Sequence, residues 1–194
     1  MAAMSIHDFF RDAEVDVAGL AAYLDALDGG RRVAEARDLD AAEQARLFDA
    51  AAGHRRITLD DFVPRGSSPL RPVIHFGRNS LPMFRIFEKR FCLPDAGADG
   101  ELWGYNEQAF KTFTGPGYFV AKQSSDQEVV IDYCELPPRK PVQWPPILPN
   151  SARLGRFIYH RTRDFMRGVS QHVSIGRATR EGKPMDNWFV LCRE

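Results

Sequence analysis

The sequence predicts an α+β protein, in which an N-terminal helical segment packs against an antiparallel β-barrel or strongly curled sheet. Three observations carry the prediction. Apolar residues recur at helical spacing early in the chain and mostly alternate further on. Aromatic residues divide at the same place: of 22, only Phe9, Phe10, Tyr23 and Phe48 lie in residues 1–60. Charge divides there too. Residues 1–60 hold seven arginines against twelve acidic residues, a net −5, and the remainder carries the compensating +5. Opposite charge favours docking of the first part onto the second.

In chain order, Ile6, Phe9 and Phe10 suit a short amphipathic turn. Val17, Leu20, Leu24 and Leu27 form a helical stripe that Gly29-Gly30 should stop. Asp40 with Glu43 fits a capping box for a further helix through Leu47, ending near Gly53. Leu59–Pro64 opens a loop, and Gly66-Ser67-Ser68-Pro69 is a linker too short to separate independent units. The boundary therefore falls between an acidic helical segment, 1–64, and the barrel, 65–194. A new pattern starts at Val73. Over 80–91, Phe84, Phe87 and Phe91 fall at helical spacing between Ser80-Leu81-Pro82 and Lys89-Arg90, which predicts one helix.

Strands are then predicted at 102–106, 117–123, 128–135, 156–162, 169–178 and 187–193. Turn residues such as Gly115-Pro116-Gly117 and Glu181-Gly182-Lys183-Pro184 separate them. No helical pattern joins consecutive strands, so the sheet should be antiparallel and curl over a core or close. Leu136–Asn150 holds six prolines around Trp144 and reads as a stiff crossing with Trp144 folded onto the barrel, in a position to cover an open mouth.

Several pieces then resemble one family. Phe157-Ile158-Tyr159-His160, Asp164-Phe165-Met166-Arg167, Val173-Ser174-Ile175-Gly176 and Trp188-Phe189-Val190-Leu191-Cys192-Arg193 are similar to the closing strands of lipocalin-like (calycin) β-barrels. Glu88-Lys89-Arg90-Phe91 resembles a Gly-Lys-Arg-Phe element of some bacterial members, with Glu88 in place of the glycine. The Gly-x-Trp entry of lipocalins is absent, since Trp103-Gly104 has the reverse order. The resemblance implies a cup for a small, largely apolar ligand.

Composition narrows the function classes. A chain of 194 residues can bury a core without disulfides, and Cys92, Cys134 and Cys192 form no Cys-x-x-Cys. Zero net charge argues against nucleic acid, no apolar run is long enough to span a bilayer, and the N-terminus lacks a secretory pattern, so a cytoplasmic protein is expected. The residues require no cofactor. A haem would need an axial ligand from among His75, His160 and His172, and a homodimer is left open. There is no Gly-x-Ser-x-Gly elbow or Walker motif.

The expected function is binding of a small hydrophobic or amphipathic molecule, with Phe119, Tyr133, Tyr159 and Trp188 as lining. Arg161, expected on the strand face of Phe157 and Tyr159, would anchor a polar head group. An enzyme of isomerase or cyclase type in the same cavity is the alternative, with Asp132 and His160 as acid and base. Asp132 lies in the apolar run Val129–Cys134 and should pair with Arg161 or Arg177 if its role is structural. The third class is an interaction module using the N-terminal helices.

Overall fold

Aspartates open all three N-terminal helices. Asp16 accepts from the Gly19 N–H (2.8 Å) and starts α1, Val17–Ala26. Asp28 accepts from the Arg31 N–H (3.0 Å) and starts α2, Gly29–Ala36. Asp40 and Glu43 form the predicted capping box of α3, Ala41–Ala50. The expected stop at Gly29-Gly30 is instead a start: Leu27 is extended, and the Asp28 carboxylate meets an orphan N–H of the next helix. A 3-10 turn at Ile6–Phe10 precedes the helices. No described helix is long and apolar enough to cross a membrane.

The computed structural model describes residues 4–83, 85–95, 97, 99–108, 115–152 and 155–194, without the side chain of Phe157. Among these, eight strands follow: β1 Val73–Asn79, β2 Ile86–Cys92, β3 Glu101–Glu107, β4 Tyr118–Ser125, β5 Glu128–Asp132, β6 Thr162–Gly168, β7 Val173–Arg180 and β8 Lys183–Arg193. Each pairs antiparallel with the next, and β8 pairs with β1 to close the barrel. The strands predicted at 102–106, 117–123, 128–135 and 187–193 correspond to β3, β4, β5 and β8.

Two predictions are corrected. The helix expected over 80–91 is strand β2 from Ile86, hydrogen-bonded to β1 and β3 on either side. Phe87 and Phe91 are four residues apart, a spacing that suits a period of 3.6 and a period of 2 equally, and Phe84 lies outside the described residues. The strand expected over 156–162 is a short helix, α4 Gly155–Ile158, followed by a turn in which Arg161 takes a left-handed φ of 58°. Strand β6 therefore begins at Thr162, and the strand predicted at 169–178 begins with the turn between β6 and β7.

Alternation along the strands sorts side chains into an interior and two covered outer surfaces. Phe87 and Phe91, Phe119 and Ala121, Val129, Ile131 and Tyr133, Met166, and Phe189 and Leu191 join the interior cluster. Strand residues Val173, Ile175, Val190 and Cys192 face outward and pack against Leu20, Leu24, Leu39 and Leu47 of the helical segment. Trp103, Tyr105, Tyr118 and Val120 form the second outer surface, covered by Trp144 with its ring 4.8 Å from that of Tyr105. The proline-rich crossing thus lies along the barrel's side. Inside, Gly104 permits close packing, because a Cβ there would sit 2.3 Å from the Phe119 ring.

One end of the barrel is stoppered by the chain leading into β1. Ile57, Phe62 and Val63 enter the interior cluster around a 3-10 turn at Leu59–Asp61. Phe62 packs on Phe91 (ring centroids 5.0 Å), and its carbonyl accepts from His75 Nε2–H (2.9 Å). Arg55 ties the stopper to the Ser170 carbonyl (2.5 Å) and to Asp61 (2.7 Å). Burial pushes the His75 imidazole down to about 4, with the Phe62 hydrogen bond opposing and Arg193 assisting.

Because Leu47 is wholly buried between helix and barrel, Leu47→Ala should cost about 2–5 kcal/mol in urea unfolding, with one cooperative transition retained. His75 is held neutral when folded, whereas the unfolded chain binds its proton near pH 6.5, so stability should fall as pH drops from 6.5 toward 4. Integrated over that window, the loss from this residue is about 3 kcal/mol, and His75→Gln should flatten the slope of unfolding free energy against pH there.

Candidate functional site

Toward the end opposite the stopper the interior is not filled. A cavity of about 300 Å³ lies between Asn79, Leu81, Pro82 and Met83 at one side and Phe87, Tyr133, Ile158, Tyr159, Ala178, Met185 and Phe189 around it. Met83 is 64% exposed while lining the cavity, so the space opens to solvent at the β1–β2 connection. The sheet is locally irregular at this rim, where the β7–β8 register shifts between Arg177 and Thr179. Tyr159 reaches the cavity from the α4–β6 turn. Its ring stacks on Tyr133 (5.2 Å) and covers Gly117, where a Cβ would stand 2.6 Å from the ring.

A polar cluster lies deep in this apolar cup. Lys89, on the inward face of β2, is the one buried lysine among the described residues. Its Nζ donates to Asp164 Oδ2 (3.0 Å), to Asn106 Oδ1 (3.1 Å) and, at shorter range, to the Tyr133 hydroxyl. Asn106 Nδ2 donates in turn to the Tyr133 hydroxyl (2.9 Å). Four rings surround the ammonium, with centroids 4.8 Å (Phe189), 4.9 Å (Tyr133), 5.3 Å (Phe119) and 5.7 Å (Phe87) from Nζ. Strands β2, β3 and β6 supply Lys89, Asn106 and Asp164, and Tyr133 follows the last residue of β5.

Burial governs the electrostatics. It pushes the Lys89 amine below its ordinary value, with the Asp164 carboxylate pulling the other way. It pushes the Tyr133 phenol well above its ordinary value, and the nearby Asp164 charge adds to that. Tyr159 is also raised, chiefly by burial, and its hydroxyl accepts from Gln108 Nε2 (2.8 Å). Both phenols therefore stay protonated at neutral pH. The charges of Lys89 and Asp164 cancel within the cluster. The carboxamide oxygen of Asn187, another lining residue, is buried without a hydrogen-bond partner. No group of three or more His, Cys, Asp or Glu among the described residues could hold a metal ion.

Of the residues expected to line the cup, Tyr133 and Tyr159 do so. Phe119 is wholly buried behind Tyr133, their rings edge to face at 5.5 Å. Trp188 points the other way: it packs on the helix-covered surface with the Arg177 guanidinium 5.0 Å from its ring, while its neighbours Asn187 and Phe189 line the cavity. Arg161 is exposed and pairs with Glu181 (2.5 Å), because the turn at 159–161 breaks the alternation that would have aimed it inward. Asp132 is on the outer side of β5, bonded to its cross-strand neighbour Arg163 (2.7 Å), not to Arg161 or Arg177. His160 is exposed. Neither Asp132 nor His160 lines the cavity.

Lys89, Asn106 and Asp164 were not singled out from the sequence. Once 86–92 is a strand, the order Phe87-x-Lys89-x-Phe91 places a lysine between two inward phenylalanines, and Thr162-x-Asp164-x-Met166 does the same for the carboxylate. No protein-family model, no curated protein and no solved structure matches this chain.

Removing one partner of the buried pair leaves the other charge without compensation. Lys89→Met or Asp164→Asn alone should cost about 3–5 kcal/mol, and the double variant should recover much of it. A double-mutant cycle by chemical denaturation checks this, and additive losses would show that the pair is not coupled.

Proposed function

We propose that this barrel is a lipocalin-like container for a small, neutral, largely apolar molecule whose polar oxygen is received beside the Lys89 cluster. The carrying observation is the open, aromatic-walled cavity of about 300 Å³ with one hydrogen-bonding cluster in its depth. Apolar walls supply affinity through desolvation, and a few fixed polar groups orient the occupant. Because Asp164 already balances Lys89, a free carboxylate or phosphate would enter without an uncompensated positive charge to meet it. A carbonyl can instead accept from the Tyr159 hydroxyl, and a hydroxyl can in addition donate to the unpartnered Asn187 carboxamide oxygen. The head-group role expected of Arg161 falls in this reading to Tyr159.

The test is binding of a neutral, environment-sensitive naphthalene dye. The wild-type protein should bind one equivalent with blue-shifted emission. Ala178→Phe, which fills the cavity from a buried lining position, should weaken binding by at least about tenfold, on the order of 1.4 kcal/mol. Val142→Lys, at a position 96% exposed on the proline-rich crossing, should leave binding unchanged. Equal binding by all three proteins would place the dye elsewhere and sink the reading.

A further inference from the structure

The buried cation of the cavity is a primary amine, in a chain that otherwise favours arginine. The chain uses 21 arginines and five lysines, and most of its surface ion pairs are made by arginine. A guanidinium stays charged and does not add to carbonyls, whereas an ammonium that gives up a proton becomes a nucleophile. Lys89 Nζ lies against the cavity, 3.0 Å from a carboxylate that can take that proton and beside a phenol that can relay one. Resting on the container reading above, we propose that Lys89 captures apolar aldehydes or unhindered ketones as a reversible Schiff base.

The step balances within the cluster. Asp164 takes one proton from the ammonium, and the freed lone pair on Nζ bonds to the carbonyl carbon as the C=O π pair moves to oxygen. A second proton passes from nitrogen to that oxygen through the Tyr133 hydroxyl, giving the carbinolamine. Asp164 then returns its proton to the hydroxyl, the C–O bond breaks, and water leaves as nitrogen closes the C=N bond. Two of the three ammonium hydrogens depart with the carbonyl oxygen as water, and nothing is oxidised or reduced. The iminium keeps the single positive charge that Lys89 began with, so Asp164 and the four surrounding rings stabilise product as they do reactant. Burial, which lowers the proton affinity of this amine, favours the attacking form over that of an exposed lysine.

The experiment uses the full chain with naphthaldehyde as probe, naphthylmethanol as its carbonyl-free counterpart and cyanoborohydride as the trap. A first adduct is expected, heavier than the protein by the aldehyde's mass less one oxygen, and peptide mapping should assign it to Lys89. Adducts at the more exposed Lys122, Lys140 and Lys183 should accumulate only after it. Lys89→Arg should lose it, and in the unmutated protein excess naphthylmethanol should suppress the Lys89 adduct while sparing the others. If naphthylmethanol binds in the cavity but Lys89 stays unmodified, the Schiff-base proposal is overturned and the container reading stands. If neither compound binds, both are overturned.

Discussion

Closure of β8 onto β1 is the constraint from which the remaining architecture follows. A closed antiparallel sheet has no free edge, and its inward side chains must either fill the lumen or leave a cavity. Here they do both along the axis. At the stoppered end, Phe62, Phe91 and His75 pack ring against ring. At the other end the rings of Phe87, Tyr133, Tyr159 and Phe189 stand around an unfilled space. Closure also explains why outward positions such as Trp103, Tyr118, Ile175 and Val190 are apolar and buried, since helices cover one arc and the Trp144 crossing another. The helical segment shares a core with the outer wall of the barrel, through Leu20, Leu24 and Leu47 against Ile175 and Val190.

A buried ammonium–carboxylate pair in such a lumen is costly to assemble and adds little net stability compared with packed hydrocarbon. The cluster around Lys89 is nevertheless well partnered: three acceptors for three ammonium hydrogens, and ring faces on several sides. Asn106 and Tyr133 bond to each other as well as to Lys89, so the geometry is held by strands β2, β3 and β6 and by the end of β5 together. Polar groups fixed in advance give up little freedom when something binds to them.

The sequence made the helices legible through their caps, as with Asp40 and Glu43, and made strand β5 legible through its apolar run, but it put Tyr133 and Asp132 in one cavity although alternation sends them to opposite sides. It failed where periodicity was ambiguous or where a turn reset the parity. The four-residue spacing of Phe87 and Phe91 concealed Lys89. A strand expected over 156–162 aims Arg161 inward, whereas the chain turns there, and Tyr159 reaches the cavity from that turn and not by strand alternation. Trp188 missed by one residue, which in a strand is a complete reversal of side. The partner of Asp132 was a matter of register, and register between β5 and β6 depends on where β6 begins.

The stopper at Ile57–Val63 has a kinetic meaning. With that end occupied by Phe62 and tied down through Arg55, His75 and Gln123, the cavity is a cul-de-sac with its opening beside Met83. Whatever enters must leave by the same opening, and a second occupant of similar size finds the cavity of about 300 Å³ taken until it does. Replacement of one occupant by another would therefore proceed at the departure rate of the first, however concentrated the second.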